Sequence, residues 1–90
     1  MSVHVPTATN EINGGTQKLY AFANGYGASV IRHQFSYGGE QGQWEIAVLG
    51  KNGRLDYSTP ITDDVIGYLE WSEVERVLDD IERLPAGKPD

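Results

Sequence analysis

Few side chains in this chain of 90 residues can do covalent chemistry. Cysteine is absent, which excludes disulfides, thiolate metal sites and a cysteine nucleophile. His33 falls inside the alternating run Ala28–Phe35. A general base there would need a partner within hydrogen-bond reach; its sequence neighbours supply none, and it reads as a packed or interface side chain. His4 lies in a segment without periodicity and is assigned no role. The neighbouring Asp63 and Asp64 could ligate a hard cation, but no calcium-loop pattern surrounds them. They read instead as acids near the positive end of a short turn capped by Thr62. Gly25-x-Gly27 lacks the third glycine and the following helix of a dinucleotide fingerprint, and Gly-Lys-Ser/Thr occurs nowhere. The reading is of no catalytic residue, no metal and no cofactor, and of a chain that is not an enzyme.

Charge is more informative. Residues 1–55 hold Lys18, Arg32, Lys51 and Arg54 against Glu11, Glu40 and Glu45, a net of one positive charge. Residues 56–90 hold three bases against ten acids, a net of seven negative, which accounts for the overall −6. An acidic lobe repels nucleic acid and attracts basic protein surfaces, so direct DNA or RNA binding is not expected. No apolar run approaches the roughly 20 residues that span a bilayer, and the N-terminus lacks the order of a signal peptide. The expected location is the cytoplasm, with no membrane partner.

Four runs alternate with period two: Lys18–Ala23, Ala28–Phe35, Gln43–Leu49 and Arg54–Ser58. Such alternation, rich in β-branched and aromatic residues, is the strand signature. Asn24-Gly25 and Asn52-Gly53 carry the two-residue hairpin signal, and the links are short enough for a meander in the order 1-2-3-4. Ser72-x-x-Glu75 reads as a capping box. Val74, Val77, Leu78, Ile81 and Leu84 then make one apolar helical stripe, and Pro85 stops it. The expected fold is α+β: a four-stranded antiparallel meander followed by one C-terminal amphipathic helix packed on the sheet. Residues 1–16 are expected to be a flexible arm, 17–85 the domain and 86–90 a tail. Pro60–Trp71 is too apolar for a loose linker and is expected to fold over one sheet edge. Nine aromatics exceed what one small helix can cover, so some should lie exposed beside the charged rim, as at protein-binding patches.

From Tyr20 to Leu84, 65 of the 90 residues, the chain resembles a group of small proteins encoded by bacteriophages and prophages. The stretches that carry the likeness are NGYGASVIRH (Asn24–His33), FSYGGEQGQWEIAVL (Phe35–Leu49) and TPITDDVIGYL (Thr59–Leu69), followed by the acidic helix. The resemblance implies a phage accessory protein acting in the bacterial cytoplasm, and it transfers no catalytic residue. With the charge pattern, it leads to an anti-defence inhibitor, such as an anti-CRISPR protein, that binds a basic, nucleic-acid-handling surface of a host protein. Asp63, Asp64, Glu70, Glu73, Asp79, Asp80 and Glu82 would stand in for phosphates, with Tyr37, Tyr68 and Trp71 as anchors. The alternative is a phage structural or assembly accessory that forms a homo-oligomer through an open sheet edge.

Overall fold

The computed structural model describes residues 4–36, 38–50 and 65–85. Five strands form one antiparallel sheet in chain order: β1 (Ala8–Ile12), β2 (Gly15–Ala21), β3 (Gly27–Arg32), β4 (Trp44–Leu49) and β5 (Ile66–Leu69). A single helix, α1 (Trp71–Glu82), packs across β3, β4 and β5. The fold is therefore α+β with a C-terminal helix on an antiparallel sheet, as the pattern predicts, but the sheet has five strands rather than four. The expected strand Arg54–Ser58, its Asn52-Gly53 turn and the Thr62 cap lie outside the described residues.

The first added strand comes from the segment expected to be a flexible arm. Asn13 and Gly14 sit at φ 48° and 77°, and Ile12 pairs with Gly15 across them. Positive φ at both central residues is the demand of a type I′ hairpin. β1 thus folds back on β2, and the Thr7 N–H donates to the Leu19 carbonyl at 2.7 Å to extend the ladder.

The second added strand, β5, lies in the apolar segment expected to cover an edge. It pairs Leu69 with Trp44 and Ile66 with Ile46, so it carries one residue more than β4 over that stretch. The extra residue is absorbed as a bulge, with Tyr68 at φ 58°. Ile66 and Leu69 can then both reach the core, while Tyr68 turns outward and is 59% exposed.

The register sets the buried face. Tyr20, Ala28 and Val48 align across three strands, and Val30 and Ile46 across two. All are buried, and Val74, Leu78 and Ile81 of α1 close over them with no exposed surface. Each of those helix side chains contributes roughly 1.5–3 kcal/mol through burial. Val77, Leu84 and Trp71 pack at the margin of the same cluster, which bears out the predicted stripe.

Both ends of α1 are capped differently from the sequence reading. The helix begins two residues before the predicted box: Glu70 is the N-cap, and Glu73 Oε1 accepts the Glu70 backbone N–H at 3.0 Å. Ser72 and Glu75 lie inside the first turns. Asn24, expected at the centre of a two-residue turn, lies in a longer connection over residues 22–26 in which only Gly25 has positive φ, 93°. The Asn24 side chain instead serves the helix. Its amide donates to the carbonyls of Ile81, Glu82 and Leu84 at 2.8, 3.1 and 3.0 Å, while its oxygen accepts the Tyr26 N–H at 3.0 Å. One side chain thereby serves three carbonyls at the end of the helix, where intrahelical donors run out; of these the Ile81 carbonyl also accepts the Leu84 N–H.

Candidate functional site

The strands and the helix divide the charge between them. The five strands carry Lys18 and Arg32 against Glu11 and Glu45. α1 carries Glu73, Glu75, Asp79, Asp80 and Glu82 against Arg76 alone, with Arg83 as its C-cap. Negative charge is thus gathered on the helix layer. At 100° per residue, the acids fall on two flanks of the apolar stripe, with Arg76 and Arg83 on the outer ridge between them. Glu73 and Asp80 share one flank; Glu75, Asp79 and Glu82 share the other.

The first flank continues from the bulge. Glu70 accepts a hydrogen bond from the Gln43 side-chain amide at 3.2 Å, and Glu73 turns back onto the N-cap. Asp80, near the far end, is exposed. Tyr68 lies just before the N-cap. Its backbone approaches Gly38, where an added Cβ would lie 2.9 Å from the Tyr68 Cα. Gly38 is therefore confined to glycine by this contact.

The second flank is engaged by the N-terminal segment. The Asp79 Oδ1 lies 2.6 Å from His4 Nε2, and the His4 side chain is only 4% exposed against 30% for Asp79. The His4 ring meets Phe22 edge-on, with centroids 5.5 Å apart. Glu82 brings a third donor, so that His4, Asp79 and Glu82 each place one ligand atom within 4.8 Å of the others. Further along, Glu75 acts on Tyr20: burial pushes the Tyr20 phenol above its ordinary pKa, and the Glu75 charge adds to the rise.

The two cations of the strands, Lys18 half-buried and Arg32 exposed, lie over indole rings. The Arg32 guanidinium lies 4.5 Å from the Trp44 ring centroid. Lys18 Nζ lies 4.7 Å from that of Trp71 and 5.6 Å from that of Trp44. The two tryptophans meet edge-on at 5.0 Å. Cation–π contacts as open to solvent as that of Arg32 add about 0.5–1 kcal/mol, and this stack fastens the start of α1 to the sheet.

His33 follows β3 in a tight turn. Its Nδ1 accepts the Phe35 N–H at 3.0 Å. The Ser36 hydroxyl accepts the His33 N–H at 3.0 Å and donates to the His33 carbonyl at 2.9 Å. The serine thus serves the histidine's backbone and not its ring, which is no nucleophile–base arrangement. Gly39 approaches so closely that an added Cβ would lie 1.8 Å from the His33 carbonyl oxygen. An open cleft of about 410 Å³ borders this turn, lined by Glu11, Thr16, Arg32, His33 and Glu40 among others.

Of the expected partner-binding residues, Glu70, Glu73, Asp80 and Glu82 are exposed on or beside α1, and Tyr68 is exposed on the bulge. Asp79 is half-covered by His4. Trp71 is half-buried and packed between Trp44 and Lys18, so its ring works within the fold. Tyr37, Asp63 and Asp64 lie outside the described residues. Four residues escaped the sequence reading: His4, Asn24 in its capping role, and Lys18 and Arg32 over the indoles. Partners 57 to 75 positions apart leave no local pattern, whereas the Asn13-Gly14 turn has a local sign that the reading of residues 1–16 as an arm passed over.

Among the described residues no helix is long and apolar enough to cross a membrane. No family model, no curated protein and no solved structure matches this chain.

Proposed function

We propose that this chain is a protein-binding module that occupies a basic, nucleic-acid-handling surface of a host protein, and that it serves as a phage-encoded anti-defence inhibitor of the anti-CRISPR kind. The observation that carries the reading is the charge division: five acids and one arginine on α1, against balanced charge on the strands. Lys18 and Arg32 are held over indoles on the sheet, and Asp80 and Glu82 make no ion pair among the described residues. Carboxylates so displayed offer the sign of charge that Arg and Lys meet on a phosphate backbone. Tyr68, lifted outward by the bulge, adds an aromatic contact at one end of the acidic flank. Charge pairing speeds encounter and selects the partner, while the aromatic contact slows release.

A pull-down from host lysate tests this reading. The expected catch is a nuclease or surveillance subunit whose retention falls between low and high salt, because exposed charge pairs are screened within about 8 Å at physiological ionic strength. Capture that ignores salt contradicts phosphate mimicry.

β1 favours a second reading. It is an edge strand whose residues Ala8–Glu11 are all exposed, and an open edge is a template for pairing with another chain. Under this reading the protein is a phage assembly accessory that forms a homo-oligomer. Light scattering on a size-exclusion column then gives a discrete oligomer that a proline at Asn10 breaks; a monomer with or without that proline rules it out.

A further inference from the structure

We propose that His4, Asp79 and Glu82 form a binding site for a divalent transition-metal ion, with zinc the best match. Their ligand atoms lie within 4.8 Å of one another. One imidazole nitrogen with two carboxylates is a borderline donor set, suited to zinc and its neighbours rather than to calcium or magnesium, which take oxygen. The donors also sit on ordered supports. Asp79 and Glu82 are three residues apart on α1, and the His4 ring is buried edge-on against Phe22.

The hydrogen bond between His4 and Asp79 does not by itself account for the third member. Asp79 already satisfies the imidazole. Glu82 adds a like charge close to Asp79, in the last turn of a helix where the carbonyl ends are also negative. A divalent cation reverses the sign of both effects. Tetrahedral zinc with bonds of about 2.0–2.1 Å holds its donors about 3.3 Å apart. Reaching that geometry requires the His4–Asp79 pair, now at 2.6 Å, to open slightly and the exposed Glu82 to swing in. On binding, the proton on His4 Nε2 moves to Nδ1 and frees the Nε2 lone pair for the metal. The fourth position is left to water. The bound ion would tie the N-terminal segment to the end of α1, across 75 positions of sequence.

The site shares Glu82 with the partner surface proposed above, but His4 has no part in that surface and Asp80 has none in this one. The test is calorimetric titration of the full chain with zinc chloride after chelator treatment, with thermal melts alongside. One zinc per chain is expected, with Tm raised by roughly 10 °C or more at a hundredfold excess over Kd. Magnesium chloride should give neither effect. Glu82→Gln changes an exposed side chain and leaves the core alone; it should weaken zinc binding at least about tenfold, as should His4→Gln, while Asp80→Asn on the opposite flank leaves it unchanged. Absence of saturable binding overturns the proposal. So does an Asp80→Asn loss equal to that of Glu82→Gln, which would mean that the ion is gathered by net charge alone.

Discussion

The two flanks of α1 carry the same kind of side chain and are put to different uses. On the flank of Glu75, Asp79 and Glu82, Asp79 meets His4 and the Glu75 charge acts on Tyr20, both groups of this same chain. On the flank of Glu73 and Asp80 the one acid caps the helix and the other faces solvent. Composition cannot separate the two, because an acid reads alike whether an imidazole or water lies opposite. The difference comes from what the sheet brings alongside, and on the flank of Asp79 that is the N-terminal segment leading into β1.

Removing what both flanks rest on should have the largest effect. Leu78 is fully buried beneath the helix, and Leu78→Ala should cost about 2–5 kcal/mol in urea or thermal unfolding. A variant that melts like the parent would mean that the helix is not anchored through this residue. Asn24 comes next. Asn24→Ala removes the side-chain donor to the carbonyls of Glu82 and Leu84, and one of the donors to that of Ile81, and should cost about 1–2 kcal/mol. Asn24→Asp should cost at least as much, since it sets a negative charge against the carbonyl end of the helix. A neutral Asp variant would show that the amide is not the cap.

The N-terminal end separates two registers of the same motif. Glu73→Ala should cost about 0.5–1.5 kcal/mol through loss of the bond to the Glu70 N–H. Ser72→Ala should stay within about 0.5 kcal/mol, as expected for an exposed position. The reverse order would restore the capping box read from sequence.

The smallest effect is one of pH. Burial, and then Glu75, hold the Tyr20 pKa above its ordinary value. Below about pH 10, where an unfolded tyrosine is still protonated, this group leaves stability unchanged. Above it the unfolded chain releases the proton that the folded chain retains, so stability falls as pH rises toward the folded value. Melts between pH 9 and 11 should show that decline, and Tyr20→Phe should flatten it. An unchanged slope in the variant would place the alkaline loss elsewhere.

What the sequence discloses follows the same physics. α1 was legible because burying one face demands a stripe at helical spacing, and Val74, Leu78 and Ile81 supply it. β4 was legible because Trp44, Ile46 and Val48 alternate into the core. β1 was not, since ATNEI is held by backbone pairing and buries no face; its one local sign is the Asn13-Gly14 turn. β5 was obscured because its bulge sends Ile66 and Leu69, three residues apart, to the same side, a spacing that imitates a helix. The acids of the candidate surface could be read from composition. Their sorting into flanks could not, because His4 reaches Asp79 from the other end of the chain.

The central claim is that carboxylates of α1 meet a basic protein surface in place of nucleic acid. It is tested most directly by holding the captured host protein on immobilised chain and adding short duplex DNA or single-stranded RNA, with Asp80→Lys in parallel. Nucleic acid should release the partner, and the charge reversal should abolish capture while the fold, followed by thermal melt, is retained. A partner that stays bound through both would contradict the claim.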